Sequence, residues 1–228
     1  MKKKIALTHL GTILIYASVA FAIKAGLGVM PVDAAINTVA DVLNVKVGTF
    51  SMLFHGTFFL VQMIMEGKNF RKIQFLQILY ITLGGTVLNF FLYTVLKNLT
   101  FSLYPIRLIV TLAAFFISAF GVTLVLETQL IRIPMDGCVQ MVADRIGTTM
   151  GKLRQKIDFA LVVICVLLTV VFKTQWTLRE GTIIAALMFG PSMDLWKKKF
   201  FTKKIKTQCI LLCVFYNSYS RNAPFSSE

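Results

Sequence analysis

The chain has 228 residues, of which 57% are hydrophobic and 15% charged, with 20 Phe and a mean hydropathy of +0.75. Soluble domains carry about a quarter charged residues, so these figures exclude an ordinary water-soluble globule and point to an all-α integral membrane protein. A formal charge of +14 would suit a nucleic-acid partner, but the Lys and Arg residues fall in the connections between apolar segments, and that excludes the reading.

Taken in order, Lys2–Lys4 precede the charge-free run Ile5–Ile23. No small-residue cleavage site stands before Lys24 and further apolar segments follow, so this is a retained first span and not a signal peptide. Gly26-Leu27-Gly28 breaks it and leads to Pro31 and a short amphipathic helix with Ile36, Val39, Ala40 and Leu43 on one face. At about 1.5 Å per residue such a helix reaches roughly 16 Å, half of a bilayer core. Gly48–Met65 reads as the second span, with His55 as its ionisable group, and residues 66–72 as a charged turn. Ile73–Leu96 is the third, interrupted at Gly84-Gly85 and carrying Asn89. Leu108–Leu126, closed by Glu127, is the fourth.

The stretch from Pro134 to Gly151 then repeats the stretch from Pro31 to Gly48. The two agree without a gap at Pro31/Pro134, Asp33/Asp136, Val39/Val142, Ala40/Ala143, Asp41/Asp144 and Gly48/Gly151. In both, Asp is expected as the N-cap just after the proline. Gly151–Phe172 is the fifth span, with Lys152, Arg154, Lys156 and Asp158 in its first turns, and Gly181–Trp196 the sixth, broken at Gly190-Pro191. The expected fold is therefore six transmembrane helices in two units, 1–97 and 105–197, each with one half-length helix, followed by a basic tail over 198–228. In that tail 208–216 is too short to cross, and it is expected to be dispensable for folding.

Three spans and a half-helix per unit make the second unit enter from the opposite side, so the repeats are inverted, an architecture recurrent in secondary transporters. With the N-terminus inside, only Lys24, Lys46, Lys97, Arg107, Lys173 and Arg179 of the 24 Lys and Arg residues lie outside, which sets both termini in the cytoplasm. The tail's basic residues suit contact with anionic membrane lipids.

The run Lys24-Ala25-Gly26-Leu27-Gly28-Val29-Met30-Pro31-Val32-Asp33, with Gly48-Thr49 after it, resembles the signature region of the YczE/YyaS/YitT family of bacterial membrane proteins. Phe189-Gly190-Pro191-Ser192-Met193-Asp194 is similar to that family's late glycine- and acid-containing segment. The resemblance spans roughly residues 5–197 and implies a multi-pass protein of the bacterial plasma membrane, with no catalytic residues to carry over.

Several polar residues stand out against this apolar background. Asp33 and Asp136, each behind its proline (Pro31, Pro134), are placed to handle a cation at the half-helix tips or simply to cap them; free N–H groups there suit an anion. His55 and Asp158 hold matching positions inside spans, where ionisable groups are costly and mark function by default. Asp158, one turn from Arg154, is open to local neutralisation, and His55 to a neutral role between helices. Asn89 and Asp194 match across the repeat and would line a cavity, unless Asp194 sits at the interface beside Trp196. Lys24 and Glu127 match with opposite charge, as a gate pair or, more simply, as snorkelling groups at opposite surfaces.

Cys138, Cys165, Cys209 and Cys213 show neither a zinc-like spacing nor a disulfide framework, so no metal, cofactor or catalytic residue is expected. No nucleotide-binding, hydrolase or zinc-protease motif occurs, which points away from an enzyme. The leading expectation is a secondary transporter or exporter of an unidentified small solute. The alternative is a non-transporting membrane partner of another enzyme or sensor, docking through its basic inner face.

Overall fold

A computed structural model describes residues 2–131, 133–148 and 150–200, and every regular element among them is helical. The helices are α1 (Lys2–Ala25), α2 (Pro31–Val42), α3 (Val47–Glu66), α4 (Leu76–Phe90), α5 (Tyr104–Thr128), α6 (Pro134–Arg145), α7 (Met150–Phe172) and α8 (Glu180–Phe200). A 3₁₀ turn over Lys72–Phe75 leads into α4, and a π turn over Phe91–Val95 extends it. Among the described residues, five stretches are long and apolar enough to cross a membrane: Lys2–Ala25, Val47–Asn69, Lys72–Val95, Tyr104–Thr128 and Lys152–Phe172. Helix α8 stands where the sixth span was expected and is not among them; it carries Glu180, Asp194 and Lys197–Lys199. The tail over 201–228 lies outside the described residues.

Both half-length helices form, each of 12 residues and about 18 Å long. The start of each differs from expectation. The cap residues are Met30 and Ile133, both extended, and the prolines take the first helical turn. Proline suits that position because its missing N–H would have been unpaired there in any case. Asp33 and Asp136 therefore sit inside the first turn, not at the cap, where their charge opposes the positive end of the helix dipole.

The expected breaks at Gly84-Gly85 and Gly190-Pro191 do not occur; α4 and α8 run through them. In lipid a broken helix would leave backbone groups unpaired, and Gly84 and Gly85 serve packing instead. A Cβ on Gly85 would collide with the carbonyl of Gly48, and one on Gly48 with the carbonyl of Gly85. Gly84 makes room for the ring of Tyr16.

Helix α1 lies antiparallel along α5. At one end Thr8 and Thr128 share a hydrogen bond of 3.0 Å; at the other, Arg107 donates to the carbonyls of Ala25 (2.6 Å) and Gly26 (2.7 Å). The helices touch nearer the Thr8–Thr128 end, where a Cβ on Gly11 would come within 2.7 Å of the Gly121 carbonyl and one on Gly121 within 2.8 Å of the Gly11 carbonyl. This is small-residue packing of the kind that joins helices in lipid. Helix α4 packs beside α1, and α8 beside α5. Each half-helix lies against α3 and α7: α2 mainly on α7, α6 mainly on α3. Cys138 on α6 donates to the Phe58 carbonyl at 3.0 Å, and Arg145 to the Met65 carbonyl at 2.8 Å.

The turn between α1 and α2 is fixed from the side. Gly28 has φ +109°, which favours glycine, and its Cβ position is filled by Thr182. Gly181 N–H donates to the Leu27 carbonyl at 2.7 Å. That anchorage aims the start of α2 at the interior of the bundle.

Candidate functional site

A cavity of about 140 Å³ opens at the start of both half-helices. Met30, Val32 and Asp33 bring the α2 tip to its wall, and Ile133 and Pro134 the α6 tip. The long helices add polar groups: Thr12 and Tyr16 from α1, His55 from α3, Gln77 and Tyr80 from α4, Ser118 from α5 and Arg154 from α7. Isoleucines and valines close the remainder.

Arg154 organises the charge. Its Nη1 pairs with Asp136 Oδ1 on α6, while its Nε donates to both oxygens of Asp158 at 3.1 and 3.3 Å. The three side chains are about one-third exposed, at 31%, 27% and 30%. A guanidinium fork suits this double duty, whereas a lysine would act as a single point charge. Asp33, by contrast, has no hydrogen-bond or ion-pair partner among the described residues, although Arg154 lies near enough to act on it through space.

Three buried polar atoms on the cavity-lining residues also lack partners among the described residues: His55 Nδ1, Gln77 Oε1 and Ser118 Oγ. Gln77 is 1% exposed and Ser118 4%. The Gln77 amide nitrogen is committed to Gln74 Oε1 at 2.5 Å, which leaves its oxygen uncommitted. An unpaired buried polar group costs on the order of 1–3 kcal/mol, so three on one cavity mark a place built to meet polar atoms. The His55 ring stands edge-on to Tyr16 at 6.5 Å and to Phe54 at 5.5 Å.

Of the residues singled out in the sequence, Asp33, His55 and Pro134 reach this cavity, with Pro31 between two wall residues of α2. Asp136 and Asp158 join through Arg154. Asn89 does not. It accepts from the Gly48 N–H at 2.8 Å and donates to Thr49 Oγ1 at 3.1 Å, and so caps the start of α3. Lys24 and Glu127 lie at opposite ends of the α1–α5 pair, with Lys24 donating to the Lys97 carbonyl at 3.2 Å. Asp194 lies on α8, its side chain outside the described residues.

Tyr16, Gln77, Ser118 and Arg154 were not anticipated as site residues. Gln74 and Gln77 offered a signal, since amides at the start of an apolar span need partners. From the sequence, Arg154 reads only as a local partner of Asp158. Nothing in the sequence distinguished Tyr16 from the other aromatics.

No curated protein and no solved structure matches the chain. A family model does, over residues 2–198. That match takes in all eight helices nearly to the end of α8, and the chain belongs to the family of unknown function DUF6198.

Proposed function

We propose that the chain is a small secondary transporter of the bacterial plasma membrane, with its solute site in the cavity at the two half-helix tips. The observation that carries this is the convergence of both tips, Asp33 and Pro134 included, on one cavity that sets polar groups in a largely apolar wall, among helices apolar enough to span lipid. Half-length helices that aim their N-termini at a central site are a device of transporters with inverted repeats.

Paired contacts support the inverted arrangement of six spans. Contact of α1 with α4 has its counterpart in α5 with α8, α2 with α7 in α6 with α3, and α2 with α3 in α6 with α7, whereas the close packing of α3 on α4 has no equal between α7 and α8 among the described residues. Helices α1 and α5, equivalent in the two units, run antiparallel, as inversion requires. Thr8 and Thr111, at matching positions, each bond back to the carbonyl four residues earlier, at 2.9 and 2.8 Å. The distribution of Lys and Arg supports cytoplasmic termini. Kinship with the YczE/YyaS/YitT proteins rests on the motif residues alone. Without a nucleotide-binding loop, transport would draw on an ion gradient or on the solute's own.

The test is flux in vesicles reconstituted with the purified chain and offered labelled small amines, carboxylates and neutral solutes. Saturable uptake that falls in Asp33→Asn is expected. Absence of flux for every class, with stable co-purification of one other membrane protein, would replace transport by the partner role.

A further inference from the structure

We propose that the cavity takes a small organic cation with N–H donors, an alkylammonium of a few heavy atoms; this rests on the transport reading above and specifies its substrate. The groups still free to interact are mostly acceptors. Asp33 carries an unpaired carboxylate, Gln77 presents an uncommitted oxygen, and Ser118 Oγ and His55 Nδ1 are both able to accept. The one guanidinium in the wall is already taken by Asp136 and Asp158. Tyr16 adds an aromatic ring, which attracts a cation to its face.

The rival ligands fit less well. Helix N-termini draw anions, but each tip here carries its own aspartate in the first turn, and an anion entering beside α2 would meet Asp33. Among the described residues no group of three or more His, Cys, Asp or Glu side chains is placed to hold a metal ion. Size narrows the choice further. At about 140 Å³, the space is close to an engineered cavity of about 150 Å³ that holds benzene. A cation of about six heavy atoms or fewer fits.

The experiment is thermal unfolding of the purified full chain in detergent, titrated separately with ethylammonium chloride, sodium acetate and sodium chloride at equal ionic strength. The proposal expects ethylammonium alone to raise the unfolding temperature in a saturable way, and Asp33→Asn to weaken that effect at least tenfold. Should Asp33→Asn not fold, Ser118→Ala serves as the second variant, with a weakening of a few fold expected. Stabilisation by acetate, an equal effect of sodium chloride, or no effect of any salt overturns the proposal, and none of these outcomes depends on a variant. Ethylammonium binding without flux of any solute would sink the transport reading and leave the cation site standing. Flux of a carboxylate would do the reverse.

Discussion

Replacing Arg154 by Gln should be the most damaging single change of charge in the bundle. The substitution strands Asp136 and Asp158 together, because one guanidinium serves both. Breaking a fully buried pair costs about 3–5 kcal/mol. Here the partners are 27% and 30% exposed, so part of that penalty is relieved by solvent and about 2–3 kcal/mol is a fair expectation. For a chain of this size roughly 2–4 °C of unfolding temperature is lost per kcal/mol, which gives roughly 4–12 °C. Thermal unfolding in detergent reads this directly. Adding Asp136→Asn to Arg154→Gln removes one stranded carboxylate and should recover about half of the loss, a coupling that a double-mutant cycle isolates. Unfolding of Arg154→Gln at the wild-type temperature, or a double variant no more stable than the single one, would refute the shared role of Arg154.

Other expectations follow from single contacts. Gly121→Ala places a methyl 2.8 Å from the Gly11 carbonyl and should lower stability by about 1–3 kcal/mol through overpacking, seen as a lower unfolding temperature. Asn89→Ala removes the acceptor for the Gly48 N–H and should cost about 1 kcal/mol, as loss of a helix cap does; solute affinity in vesicles should stay unchanged, since the residue serves α3 and not the cavity. Arg107→Met frees the carbonyls of Ala25 and Gly26, bonds to a charged donor worth about 1.5–3 kcal/mol each, and should loosen the α1–α2 turn as read by faster amide exchange there. Cysteine labelling tests orientation: Ser102→Cys should react with a membrane-impermeant reagent in intact cells, and Phe70→Cys only after lysis.

The sequence was most legible where lipid leaves few choices. Long apolar runs had to become helices, because no other open segment pairs its backbone in a membrane, and α1, α3, α5 and α7 follow them closely. The repeat of proline and aspartate disclosed both half-helices, yet the start of each was misjudged. Proline's fixed φ and missing N–H suit it to the first turn, and that moved the cap to Met30 and Ile133. The glycine pair Gly84-Gly85, which reads as a break, is a place of close approach, as Gly85 is against Gly48, since local composition does not tell a kink from a contact. The site was half visible. Asp33 and Asp136 stand out at the half-helix tips and His55 and Asp158 as costly ionisable groups inside spans, but the link between Asp136 and Asp158 runs through Arg154, a tertiary pairing that no periodicity encodes. Ser118 looks like an ordinary helix residue until its neighbours are known.

A transporter's solute site must communicate in turn with both sides of the membrane, and Ser118, 4% exposed on the cavity wall, is the place to test the proposed transport. Ser118→Cys would be introduced after Cys138, Cys165, Cys209 and Cys213 are replaced, and treated with a membrane-impermeant thiol reagent in right-side-out and inside-out vesicles. Alternating access predicts labelling in both orientations, slowed in both by the bound solute. Labelling from one side only, whatever gradient is imposed, would contradict it.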